Sequence, residues 1–212
     1  MQDIFKYNNF SKNIFLKKGT MLLKCRLWIF LLCITAFIIS CGGPSSPYMK
    51  PSQGILAPSN DKALVRFMRP SGLGYAINFN IWDGDKVIGN SVAKAQFDYL
   101  ADPGKHLFVA VAENKVFLEA NLEPGKTYYI ITRVYMGLWK ARVAFLAINK
   151  GSEFWDKVKG YENELNKLEP NTESLKKWED ENKSIIKEVL SEYATKWKTA
   201  EQWPKLNPED GR

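Results

Sequence analysis

The chain is poor in the residues from which most catalytic and metal sites are built. Among its 212 residues there is one histidine, His106, and there are three cysteines, Cys25, Cys33 and Cys41. His106 as a general base would need a nucleophile and an orienting acid; Ser91 and Asp98 are the nearest in sequence, and neither stands in a recognisable motif. A zinc site lacks ligands, because one histidine and no spare thiol cannot fill a tetrahedral shell. Asp83, Asp85 and Asp98 lack the spacing and the closing glutamate of an EF-hand loop, and Asp-Gly-Asp is ordinary turn composition. Ser71-Gly72-Leu73-Gly74 has neither the preceding strand nor the following helix of a phosphate-binding loop. No pattern points to a cofactor. Long apolar runs are missing as well. The main one, Leu27 to Ile39, falls short of the about 20 residues a membrane-crossing helix needs and suits the roughly 7 to 15 of a signal-peptide core.

What is present begins with that run. Lys17, Lys18, Lys24 and Arg26 precede it, and Ile38-Ile39-Ser40-Cys41-Gly42 closes it. Basic flank, apolar core and small residues at the end form the layout of a secretory signal. The closing residues resemble the lipobox of bacterial lipoproteins, with Ile38, Ser40 and Cys41 in the matching positions. The resemblance implies that residues 1–40 are removed and that Cys41 becomes a lipidated N-terminus, carrying palmitate-type acyl chains. Small residues at Ser40 and Gly42 leave the backbone open to a peptidase. Each buried methylene contributes about 0.8 kcal/mol, so two or more chains anchor stably where one is marginal. Met21 offers an alternative start with a compact signal, Lys24 and Arg26 being its basic region.

The signal accounts for two misleading totals. Six basic residues and one acidic residue lie in 1–40, so +5 of the net charge of +7 belongs there and +2 remains after it. A nucleic-acid partner loses its electrostatic support. Cys25 and Cys33 leave with the signal and Cys41 is used by lipid, so no disulfide is available. An exported body without such staples depends on its core.

Residues 41–61 are rich in Gly, Pro and Ser without apolar periodicity, and read as a flexible tether. From Ala63 the pattern changes to short runs of Val, Ile, Phe and Tyr separated by turn residues, as in an antiparallel β-sandwich of seven or eight strands over 62–149. The expected strands are Ala63 to Met68, Tyr75 to Trp82, Lys86 to Asn90, Ala95 to Leu100, Lys105 to Ala112, Lys115 to Leu122, Thr127 to Tyr135 and Ala141 to Asn149. Asp102-Pro103-Gly104-Lys105 and Glu123-Pro124-Gly125-Lys126 repeat one turn design, in which Pro fixes φ and Gly supplies a positive φ. Asp83-Gly84-Asp85 is a third turn. All three are expected to set hairpin register.

These turns carry a second resemblance. Phe79-Asn80-Ile81-Trp82-Asp83-Gly84, Ile88-Gly89, Pro103-Gly104-Lys105-His106 and Pro124-Gly125-Lys126-Thr127-Tyr128-Tyr129 are similar to an uncharacterised bacterial lipoprotein family with a β-sandwich domain of unknown function. The spacing also resembles PEGA-type surface modules, from which Asn90-Ser91 departs where those have Thr-Pro. The resemblance covers about Lys62 to Asn149 and implies a small sandwich with no established catalytic residues.

At Gly151-Ser152 the period becomes helical. Phe154, Trp155, Val158, Tyr161, Leu165 and Leu168 form one apolar stripe after a Ser152 cap, and Leu175, Trp178, Ile185, Ile186, Val189, Leu190, Tyr193 and Trp197 form another after Thr172. A C-terminal helical hairpin over 152–198 is expected, with 199–212 a frayed tail. Aromatics are dense: Trp82, Tyr99, Tyr128, Tyr129, Tyr135 and Trp139. Strand alternation puts Trp82 on the face opposite Ile81, which makes it the expected exposed ring for a carbohydrate-binding platform. The stripe from Trp178 to Trp197 is the other expected partner surface.

Together these features predict a non-catalytic binding or structural module in the cell envelope. It would be lipid-anchored through Cys41 to a bacterial membrane, facing the periplasm or the exterior, with an envelope protein as a partner. A carbohydrate-binding module, or an enzyme using His106, are the rival classes.

Overall fold

The computed structural model describes residues 45–138, 141–200 and 203–212. Among the described residues eleven strands form two sheets. The first seven are β1 (Met49–Pro51), β2 (Ala63–Arg69), β3 (Phe79–Asp83), β4 (Lys86–Ser91), β5 (Ala95–Ala101), β6 (Gly104–Val111) and β7 (Lys115–Leu122). β8 (Thr127–Met136) and β9 (Ala141–Ala147) follow, then β10 (Asn166–Pro170) and β11 (Lys205–Leu206). Among the described residues the longer helices are α1 (Val158–Glu164), α2 (Thr172–Glu181) and α3 (Lys183–Glu192), the last running into a π-turn over Tyr193–Trp197 and a short helical turn at Lys198–Ala200, with a 3-10 turn at Pro208–Asp210. One sheet has the order β1-β10-β5-β2-β8-β9 and the other β11-β7-β6-β3-β4. No helix among the described residues is long and apolar enough to cross a membrane.

The expected sandwich is there. Between the sheets lie Val65, Phe67, Ile81, Phe108, Leu118, Tyr128, Ile130 and Phe145, all buried. Phe67 stacks on Phe97 at 5.0 Å and meets the edge of Phe108 at 5.3 Å. The pairing is mixed rather than wholly antiparallel, since β2–β8, β5–β10 and β7–β11 are parallel.

The two Pro-Gly turns are not hairpins. Asp102-Pro103-Gly104 joins β5 in one sheet to β6 in the other, and Glu123 to Lys126 joins β7 back to β8 in the first sheet. Gly104 at φ 117° and Gly125 at φ 73° do adopt the left-handed backbone expected of them. Their positive φ redirects the chain between layers instead of setting register within one. Asp83-Gly84-Asp85 is a true hairpin, with Asp83 opposite Lys86.

Both sheets are also covered on their outer faces, which gives four layers. Trp82, Val87, Val109 and Phe117 lie under Leu175, Ile186, Val189 and Tyr193 of α2, α3 and the π-turn. Met68, Tyr129, Ile131 and Ile148 lie under Val158 and Leu165. β2 is therefore buried along its whole length, as strands with both faces packed read as near-continuous apolar runs.

Four segments differ from their expected state. The strand expected from Tyr75 begins only at Phe79, and Tyr75 lies in a turn. The 41–61 stretch is not a tether throughout: Met49–Pro51 pairs antiparallel with β10 and Met49 is buried. Leu165 and Leu168 do not continue a helix, because Asn166–Pro170 runs as a strand along the edge of β5. Pro170 disfavours a helical Glu169, and the open β5 edge offers backbone partners. The first arm of the expected helical hairpin is thus short, starting at Val158 without a Ser152 cap, the second breaks at Asn182 into α2 and α3, and the two arms cover opposite sheets rather than each other. The second arm is capped by Asn171, whose side chain accepts from the Ser174 N–H at 3.4 Å, rather than by Thr172. The tail is docked and not frayed. Leu206 is buried, Asp210 accepts from Asn149 and from the Lys150 N–H, and Arg212 exchanges backbone hydrogen bonds with Thr127.

Candidate functional site

Among the described residues, the polar cluster nearest to a catalytic arrangement lies where β3 ends and β6 begins. Asp83 closes β3 and His106 is the third residue of β6, so the hairpin turn and the sheet-to-sheet turn bring them together. His106 Nδ1 is 2.7 Å from Asp83 Oδ2, and the Tyr99 hydroxyl donates to the same oxygen at 2.9 Å. Tyr99 comes from β5 in the other sheet, so the cluster clips the two sheets at one end. The His106 ring lies parallel to Phe108 with centroids 5.9 Å apart.

The second ring nitrogen decides what this cluster can do. His106 Nε2 is 2.7 Å from the Asp102 carbonyl oxygen. A carboxylate and a carbonyl both accept, so both ring nitrogens must donate, and only the imidazolium can do so. Burial opposes the charge, and the Asp83 hydrogen bond and charge, aided by the Asp102 carbonyl, outweigh it, so the His106 pKa rises above its ordinary value. An imidazolium with both N–H groups engaged has no lone pair with which to accept a proton. Tyr99 is held neutral, its pKa pushed well up by burial and by Asp83.

The other candidates for a catalytic set lie elsewhere. Asp98 makes a two-pronged ion pair with buried Arg66, Nε to Oδ1 at 2.6 Å and Nη2 to Oδ2 at 3.0 Å. Arg66 also meets Glu162 of α1, which accepts from the Tyr129 hydroxyl at 2.8 Å. Ser91 is buried against Thr132, hydroxyl to hydroxyl at 2.7 Å. The structure therefore brings His106 and Asp83 together and leaves Asp98 and Ser91 out. Asp85 is exposed on its turn, and no group of three or more His, Cys, Asp or Glu among the described residues could hold a metal ion. Ser71-Gly72-Leu73-Gly74 turns its carbonyls inward: those of Leu73 and Gly74 accept from the Arg69 guanidinium at 2.9 and 2.8 Å. That loop embraces a cation, the reverse of a phosphate cradle.

The aromatic expectations are corrected in the same way. Trp82 does face away from Ile81, but that face is covered, and the ring is only 2% exposed. Trp178 covers it with centroids 5.9 Å apart. A buried ring cannot serve as a sugar platform. Trp178 and Trp197 are half-buried against the same cluster, and Trp203 joins it edge-on to Phe117 at 5.0 Å. The helical stripe offered as a partner surface is thus largely consumed by the chain's own sheet. Tyr128 and Tyr129 are buried, and Tyr135 stays exposed. Cys41 and Trp139 lie outside the described residues.

An open cleft of about 510 Å³ is lined by His106 together with Lys105, Glu119, Asn121, Lys198 and Lys205, among others. Glu119 is already engaged by the Tyr193 hydroxyl and Lys205. The residue that sequence reasoning missed is Tyr99, the third member of the cluster. Its signal was weak, since two strands in different sheets had to converge before Tyr99 and Asp83 could meet. Compared with known proteins, the chain matches no family model, no curated protein and no solved structure.

Proposed function

We propose that this chain is a membrane-anchored lipoprotein of the bacterial envelope whose folded body is a non-catalytic binding or structural module. Acyl chains on Cys41 hold it to the membrane, and the body faces the periplasm or the exterior. The lipobox-like Ile38-Ile39-Ser40-Cys41 supports the anchor, and the turn-based resemblance to bacterial lipoprotein sandwiches is in keeping with it. The observation that carries the non-catalytic half is the state of His106: its two ring nitrogens are both spent on Asp83 and Asp102. The one histidine acts as a clip between turns, with no lone pair free to serve as a general base.

The experiment is fractionation and affinity capture of the full chain and of Cys41→Ala in a bacterium that processes lipoproteins. The intact chain is expected in the detergent-soluble envelope fraction, cross-linked there to an envelope component. Cys41→Ala is expected in the soluble fraction. Equal membrane retention of the two would contradict the anchor, and a hydrolytic activity lost in His106→Gln would contradict the non-catalytic body.

A further inference from the structure

The two ends of the sandwich differ in chemistry. β2 and β8 run parallel and finish at one end, and β5 and β9, antiparallel to them, begin there. The hydrogen bond from the Glu113 N–H to the Ala141 carbonyl brings the β6–β7 hairpin to the same end, which is therefore where β3 starts. Its connections carry most of the exposed large apolar side chains among the described residues. Leu73 and Tyr75 lie in the β2–β3 connection, Tyr135 and Met136 finish β8, and Leu138 follows; Met136 is 88% and Leu138 90% exposed. Residues 70–78 and 134–139 contain no charge. The opposite end carries Asp83, Asp85, Lys86, Asp102, Lys105 and Glu123 in its turns.

The apolar end is built, not loose. Buried Arg69 gathers the carbonyls of Leu73, Gly74 and Ile77, and Gly74, at φ 64°, approaches β8 so closely that a Cβ would come within 2.9 Å of Val134. Tyr75 and Leu73 are therefore held outward on a fixed loop. Lys94 and Arg142 are exposed beside them, Arg142 directly opposite Tyr135.

The chain enters the body at this end. The Ser45 carbonyl accepts from Asn78 at 3.1 Å, three residues beyond Tyr75, and Ser46 is buried. The four chain steps from Cys41 to Ser45 span at most about 14 Å at roughly 3.5 Å per residue. A headgroup layer takes up about 5–8 Å of that, the difference between a bilayer and its hydrocarbon core shared over two leaflets. A lipid on Cys41 thus leaves little length for the body to stand clear of the surface.

We propose that this apolar-tipped end rests on the bilayer entered by the Cys41 acyl chains, with Tyr75, Tyr135, Met136 and Leu138 in the boundary between headgroups and acyl chains. The proposal rests on the reading of Cys41 as the lipidated residue. Tyrosines suit that boundary, having an apolar ring and a polar tip, and the thioether and leucine tips add apolar area. Lys94 and Arg142 would meet lipid phosphates. The His106 end would then point away from the membrane, and any partner would approach from there.

The test uses the full, processed chain carrying one added cysteine: Tyr75→Cys, Met136→Cys or Leu138→Cys, with Asp85→Cys at the far end. Cys25 and Cys33 leave with the signal and Cys41 is thioether-linked, so the added thiol alone takes an environment-sensitive fluorophore. Each protein is reconstituted into vesicles of phosphatidylethanolamine and phosphatidylglycerol with a lipid-borne nitroxide quencher. Labels at 75, 136 and 138 are expected to shift to the blue and to be quenched about twofold or more, since interfacial side chains sit about 5–10 Å into the boundary, while the label at 85 stays water-like. Equal, water-like emission at all four positions would overturn the proposal, as would shielding that develops only on adding an envelope protein extract. Radiolabelled palmitate incorporation in the same preparations separates the causes of failure. Label present with wet tips sinks this proposal alone; label absent sinks the anchor and the proposal with it.

Discussion

His106 is held between two acceptors at equal distance, the Asp83 carboxylate at Nδ1 and the Asp102 carbonyl at Nε2, each 2.7 Å away. Asp83 closes β3 and Asp102 sits in the turn between β5 and β6, so one ring ties a hairpin to the link between sheets. Loss of its second proton turns one of these contacts from attraction to repulsion.

That arrangement makes stability depend on pH with a definite sign. The folded-state pKa of His106 is raised, so its contribution is full below the unfolded value of about 6.5 and is lost as pH rises through the folded value. Urea unfolding of the full chain and His106→Gln should differ by about 2 kcal/mol below about pH 6, as expected for hydrogen bonds to a charged group. The gap should narrow on going alkaline. A gap that widens with pH would show that the ring is neutral in the fold.

Arg66 and Asp98 form a pair buried beneath the 52–62 segment, with the Leu56 carbonyl accepting from Arg66 and the Leu56 N–H donating to Asp98. Asp98→Ala leaves an arginine with its main partner gone, and should cost about 3–5 kcal/mol in chemical unfolding. A double change to apolar residues of similar volume should recover much of that loss. A cost under about 1 kcal/mol for Asp98→Ala, the range of a surface pair, would place the pair in solvent.

Gly89 is required by a close approach. A Cβ built there would lie 2.5 Å from Cε2 of Phe97, the ring that stacks on Phe67. Gly89→Ala should destabilise by about 1–3 kcal/mol, the usual cost of overpacking a core. Phe97→Leu should cost less when combined with Gly89→Ala than when made alone, because the smaller side chain relieves the added methyl. Strict additivity in that cycle would show that the two positions do not touch.

Trp82 is a core residue under α2. Trp82→Ala should lower stability by about 3–5 kcal/mol, as for other large-to-small core changes, while Trp82→Phe should cost much less because the indole N–H has no partner to lose. Thermal unfolding checks both. A well-folded Trp82→Ala that has lost only glycan binding would restore the exposed platform that the burial rules out.

Much of the fold was legible in the sequence, and the illegible parts have physical causes. Most strand positions from Ala63 to Ala147 could be read because alternation and turn residues are local signals, whereas Tyr75 to Asn78 alternates like a strand yet lies in the loop whose carbonyls Arg69 gathers. Ile81 and Trp82 do point to opposite faces, as alternation requires. What alternation cannot give is what covers each face, and two covered sheets turn an exposed tryptophan into a buried one. The Pro-Gly turns revealed the positive φ of Gly104 and Gly125 but not that each crosses between sheets, since that depends on which strands pair. Leu165 and Leu168 fit a helical step as well as they fit a strand over so short a span. Met49 and Leu206 looked like parts of loose ends because their partners, β10 and β7, lie far away in sequence. At the candidate site, His106 was conspicuous as the one histidine, whereas its saturation needed the Asp102 carbonyl, a backbone atom no motif records.

The proposed anchor at Cys41 can be read by mass spectrometry of the chain extracted from membranes. The expected N-terminal peptide begins at Cys41 and carries the added mass of two or more acyl chains, with nothing from residues 1–40. A mature chain beginning elsewhere, or a Cys41 with an unmodified thiol, would contradict it.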